Sequence, residues 1–116
     1  ETAGVRPPKR CDGRSLWPVI DDPARPRERD FIVLQHFGHQ APFWQRMVRT
    51  DAEKYIYNAL DRDEFYDLRD DPDEMHNIID RVPAEKLTGF RDRLREFIAA
   101  TQDPIAFWSA NTLYNG

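Results

Sequence analysis

The sequence predicts an α+β domain: a small antiparallel sheet of about four strands in meander order, one long C-terminal helix packed across it, and an extended, proline-rich N-terminal arm. Four short β-prone runs follow one another between Phe31 and Leu68, joined by connections far too short for parallel crossovers. Beyond them, Leu87, Phe90, Leu94, Phe97 and Ile98 fall at i, i+3, i+7, i+10 and i+11, one apolar stripe at helical spacing. Before them, the first 26 residues hold five of the nine prolines together with Val5, Leu16, Trp17, Val19 and Ile20. That stretch is too apolar for a free linker and reads as an arm lying against something.

The elements follow in order. Residues 1–30 form the arm. The run Phe31 to Phe37 is a buried-strand signal closed by Gly38, and Gly38 to Gln45, with Pro42, Phe43 and Trp44, reads as a loop. Arg46 to Thr50 and Lys54 to Ala59 are two strands joined by the hairpin-length connection Asp51-Ala52-Glu53. In Asp63 to Leu68, Phe65 and Leu68 cannot share one face of a regular strand, so a bulge or strand end is expected near Asp67. Asp71-Pro72-Asp73-Glu74 carries a helix cap, a proline at the first helical position and an acid three residues on, and predicts a helical turn delivering Met75, Ile78 and Ile79 to the core. The long helix is expected over 83–101, with Gly89 serving close packing, and must stop before Pro104. Residues 31–102 are thus the sheet and helix unit. Residues 103–116 are an aromatic tail whose Ile105, Phe107, Trp108, Leu113 and Tyr114 are expected to pack on a partner, as is the arm.

Composition removes several function classes. A length of 116 residues argues for one domain or less. With 17 Lys and Arg against 21 Asp and Glu, the net charge of −4 excludes a nucleic-acid binder driven by bulk charge. No apolar run is long enough to span a membrane. The single cysteine, Cys11, forms no internal disulfide. The opening at Glu1 has no basic start and no apolar signal core, so any targeting segment is expected to be absent or already removed. Residues 61–80 concentrate nine acids against two bases. A calcium site is one reading of that cluster, but calcium-loop spacing is absent, and turn and cap acids on a solvated edge are the simpler account. Three dispersed histidines do not match zinc spacings, and His76 is expected to face solvent.

The stretch Asp63 to Ile78, DEFYDLRDDPDEMHNI, resembles the E-L-Y-D-L-x-x-D-P-x-E-x-x-N-L signature near the C-terminus of type I sulfatases. Ala3-Gly4-Val5, then Asp12-Gly13-Arg14-Ser15-Leu16 and Pro18, resembles the segment that closes their catalytic domain. Arg46-Met47-Val48-Arg49-Thr50-Asp51 with Lys54-Tyr55-Ile56 resembles their hairpin, and Thr101-Gln102-Asp103-Pro104 their helix exit. The resemblance implies a C-terminal subdomain seated against a large catalytic domain of the alkaline-phosphatase superfamily, its intramolecular partner. It implies calcium and a formylglycine for the complete enzyme, and neither in this segment. The family's C/S-x-P-x-R nucleophile motif fails at Cys11, which is followed by Asp12-Gly13-Arg14-Ser15, so no catalytic residue and no metal ligand carries over. The segment alone is expected to be inactive, and to self-associate through its arm and tail when free. In many sulfatases the loop after the first strand turns toward the mouth of the catalytic pocket, which makes His36, His39 and Trp44 the candidate substrate-side residues. The alternative for His36 is a packed strand position, and for Trp44 a cover on the sheet. A phosphonate or phosphodiester hydrolase, a sulfamidase, or a stand-alone interaction module from a truncated frame are the competing functions. The family spans cytoplasmic, periplasmic and secreted members, so no compartment follows.

Overall fold

A computed structural model describes residues 4–5, 13–26, 28–38, 43–109 and 113. Strands β1 (Ile32–His36), β2 (Gln45–Arg49), β3 (Glu53–Asn58) and β4 (Glu64–Asp67) form one antiparallel sheet in the order β1-β2-β3-β4, the expected meander. Its register sets Val33 opposite Val48, Val48 opposite Tyr55, and Tyr55 opposite Phe65. Alternation along each strand therefore puts these residues on one face. Helix α2 (Ala84–Thr101) covers that face with Phe90, Leu94 and Ile98, all buried with Val48, Tyr55, Tyr57 and Phe65. Phe90 meets Phe65 edge to face at 5.0 Å and Tyr55 at 6.5 Å, the arrangement aromatic quadrupoles favour.

The helix ends where Pro104 requires. Gln102 takes a left-handed conformation (φ 53°), and the Asp103 amide donates back to the Ile98 carbonyl at 3.1 Å, satisfying an otherwise orphaned acceptor. The strand end expected near Asp67 is also present: β4 stops there, and the Leu68 amide turns to the Ala52 carbonyl at 2.7 Å.

Five local expectations are corrected. β1 is an edge strand, so Ile32 and Leu34 point to the uncovered face and stay exposed, and only Phe31 and Val33 of that run pack toward the core. Asp71 caps no helix. Its carboxylate accepts the Met75 and His76 amides at 3.0 and 2.8 Å, while Glu74 sits at φ 57° with its carboxylate held by Lys54 Nζ. A left-handed residue at that point prevents helix propagation, so Met75 remains exposed, and only Ile78 and Ile79 reach the core, at a 3-10 turn spanning Ile79–Arg81. Gly89 faces open space, with nothing within 4 Å of a notional Cβ, so it serves no close contact. The arm is not wholly extended: Pro18, near the start of a helix as its fixed φ allows, lies in α1 (Trp17–Asp21). The tail is not bare. Ile105, Leu113 and Ser109 of the segment that includes α3 (Ala106–Ser109) are fully buried within this chain's own core. Phe107 and Trp108, with Val5, Leu16, Trp17 and Ile20, do remain exposed. Cys11, His39 and Tyr114 lie outside the described residues.

Candidate functional site

The sheet has two chemically different faces at the end where β1 meets β2. On the inner face, register puts Arg46 between Gln35 and Tyr57, two residues from the buried Val48. An arginine there loses its water and needs an acid. Asp103, just past α2, supplies it: Nε of Arg46 donates to Oδ2 and Nη2 to Oδ1, both at 2.6 Å, with neither side chain exposed. Gln35 Nε2 also donates to Oδ2 at 2.6 Å, and the Ile105 amide to Oδ1 at 3.0 Å. Burial pushes the Asp103 carboxyl toward its neutral form, but the Arg46, Ile105 and Gln35 donors outweigh it and hold the pKa below the usual carboxylate range. The remaining guanidinium nitrogen, Nη1, donates to the carbonyls of His36 at 3.2 Å and Gln45 at 2.6 Å, and Phe37 lies over the guanidinium at 4.4 Å.

On the outer face, His36 is exposed and lies opposite Gln45 in the register. Gln45 donates to Asn58 Oδ1 at 2.6 Å, Asn58 to Glu64 Oε1 at 3.0 Å, and Tyr66 to Glu64 Oε2 at 2.5 Å, forming a polar row across the sheet. Beside it, Leu34, Met47 and Ile56 join His36 and Gln45 in lining a groove of about 290 Å³. Trp44 lies on the other side. It meets Phe37 edge to face at 5.8 Å and, with Ala59, Leu60 and Trp108, lines an apolar cleft of about 180 Å³. His36 and Trp44 therefore flank one sheet end from opposite faces. His76 faces solvent beside Asp71 at 3.7 Å, in a turn and not in a helix.

Several of the acids of residues 61–80 hold local structure. Asp63 accepts the Tyr55 hydroxyl at 2.6 Å and the Asn58 amide at 3.1 Å, Asp67 the Arg69 amide at 3.0 Å, and Asp80 the Arg62 guanidinium. Among the described residues no group of three or more His, Cys, Asp or Glu is placed to hold a metal. Calcium, implied for a complete enzyme, thus finds no fitting donor set in them. The hydroxyls beside carboxylates are not nucleophiles. Burial, then the charge and hydrogen bond of Asp63, drive the Tyr55 pKa far up, and burial with Glu64 pushes Tyr66 to about 12. An activated nucleophile needs the opposite shift.

Reading the sequence alone missed Arg46, Asp103 and Gln35. Arg46 did carry a signal: two residues before Val48 in an alternating strand, it had to face inward, and an inward arginine demands a distant acid.

The family model described as N-sulphoglucosamine sulphohydrolase, C-terminal, matches residues 1–102. The chain is 39% identical over 106 residues to the uncharacterized sulfatase YidJ of Escherichia coli K12, covering 89% of this chain and 21% of that protein. It is 35% identical over 86 residues to the choline-sulfatase of Rhizobium meliloti, covering 70% and 16%. The solved structure of BT4656 in complex with its substrate D-glucosamine-2-N,6-O-disulfate superposes with a TM-score of 0.72 at 30% identity, over 88% of this chain and 22% of that one. The chain spans between 16% and 56% of the curated relatives it matches. Among the described residues no helix is long and apolar enough to cross a membrane. The match over residues 1–102, on a four-stranded meander covered by one helix, places the chain in the N-sulphoglucosamine sulphohydrolase C-terminal family, with the fold of a sulfatase C-terminal subdomain.

Proposed function

We propose that the whole polypeptide carrying this segment hydrolyses sulfuric esters, and that the segment supports the catalytic domain and shapes the mouth of its pocket. The observation that carries the reading is the family match across the sheet and helix, joined to an uncovered outer face whose Leu34, Met47 and Ile56 are apolar and whose end bears His36. A surface of that kind favours burial against a larger body. His36, His39 and Trp44 are the substrate-side residues in this reading, helping to select the alcohol part of the ester. The relatives favour a sulfated sugar as the substrate: the matched family is named for N-sulphoglucosamine, and BT4656 is bound to a glucosamine disulfate whose 6-O-sulfate is an ester. The nucleophile, the formylglycine and its calcium belong in this reading to the catalytic domain, and no step of the reaction runs through the described residues.

The test is sulfate release by the full-length polypeptide from 4-nitrophenyl sulfate, glucosamine 6-sulfate and glucosamine N-sulfate, set against bis(4-nitrophenyl) phosphate and a phenylphosphonate ester. Release of sulfate from a sulfate ester is expected, with the isolated segment inert. Preference for the phosphorus esters would replace the reading with a phosphodiester or phosphonate hydrolase, and release from the N-sulfate alone would make the enzyme a sulfamidase.

A further inference from the structure

The two ends of the β1–β2 connection are both held by one side chain. Arg46 Nη1 donates to the carbonyl of His36, where the connection begins, and to that of Gln45, where it ends, while Phe37 stacks on the same guanidinium. Arg46 keeps this geometry because Asp103 fixes its other two nitrogens. Asp103 opens a tail segment that is itself anchored by the fully buried Ile105 and Ser109. The same segment returns to the connection a second time: Trp108 forms one wall of the apolar cleft whose other walls are Trp44, Ala59 and Leu60.

We infer that residues 103–109 are a positioning strap, which through the Asp103–Arg46 pair and the Trp108 wall sets the ends of the β1–β2 connection, and with them how His36 and Trp44 are presented to substrate. The inference rests on the proposed function for the word substrate, and on geometry alone for the strap. Arg46 and Asp103 are wholly buried, out of reach of a substrate at the surface, so they are positioning residues. Their effect reaches the outer surface because one planar guanidinium satisfies a carboxylate and two strand-end carbonyls at once. A change at either partner cannot leave those carbonyls where they were.

Three variants of the full-length polypeptide test this: Asp103→Asn, Trp108→Ala, and the apolar pair Arg46→Met with Asp103→Leu. Each is read by the 5-fluorotryptophan resonance of Trp44, assigned with Trp44→Phe, and by KM and kcat for 4-nitrophenyl sulfate. Asp103→Asn and Trp108→Ala are expected to shift the Trp44 resonance and raise KM by roughly two- to thirtyfold, the range open to residues acting through a packed network, with kcat unchanged. The apolar pair is expected to regain melting temperature without regaining KM. Recovery of both by the apolar pair would show the ion pair to be structural only and would overturn the strap. So would an unchanged resonance and KM in Trp108→Ala, whose half-exposed side chain leaves folding intact should Asp103→Asn fail to fold. If the unaltered enzyme releases no sulfate, the function fails while the Trp44 resonance still decides the strap.

Discussion

Asp103 and Arg46, 57 residues apart in the chain, meet through two hydrogen bonds of 2.6 Å with no solvent between them. A buried pair of this kind stabilises little relative to apolar residues of the same volume, yet losing one partner strands a charge. Asp103→Ala or Arg46→Ala is therefore expected to cost about 3–5 kcal/mol, read from urea unfolding. The Arg46→Met, Asp103→Leu pair should lie well above either single variant, and equal losses in all three would argue against stranded charge as the cause.

The same carboxylate predicts an acid limb. Its pKa is lowered in the fold, so the unfolded chain binds more protons, and stability rises with pH across that window. The contribution is complete above the unfolded value of about 3.9 and is lost as pH falls through the folded value. Melting temperatures recorded from neutral pH downward should fall in that window. Asp103→Asn should show a shallower fall there, and an identical slope would assign the limb to other carboxylates.

Gly89 lies inside α2 with open space where a Cβ would go. Gly89→Ala should stabilise the fold by about 0.5–1 kcal/mol, because alanine loses less backbone entropy in a helix. A denaturant midpoint that falls would show a contact that the free surface does not reveal.

Asp71 stabilises a turn by accepting the Met75 and His76 amides, and those two bonds are the main reason that its carboxyl sits below the usual range. Asp71→Ala should lower the melting temperature and speed hydrogen exchange at both amides. Unchanged exchange at Met75 and His76 would remove the turn from the account.

Residues 31–102 alone should not fold cooperatively. Cutting after Gln102 removes Asp103 and so strands Arg46, and it uncovers the space filled by Ile105 and Leu113. Each of those side chains is worth roughly 1.5–3 kcal/mol when buried. A two-state melt of that fragment close to that of the 116-residue chain would contradict the packing.

Local pattern alone determined the meander, the reach of α2 and its end before Pro104. Alternation, helical spacing and the restriction that proline puts on its predecessor all act within a few residues. The ordered motifs likewise carried the family, because they are strings of neighbours. Tertiary structure decided the rest. Asp71 carries every sign of a helix cap, but Lys54 from β3 holds Glu74 in a left-handed turn, which no short window contains. His36 and Trp44 look like members of one loop, yet the pleat sends them to opposite faces. The tail reads as spare apolar surface until Asp103 is seen to close on Arg46 across the whole sheet and helix. The direction of a side chain follows from local geometry, whereas its partner depends on how distant segments are brought together, and a charge buried at Arg46 is stable only where that folding delivers Asp103.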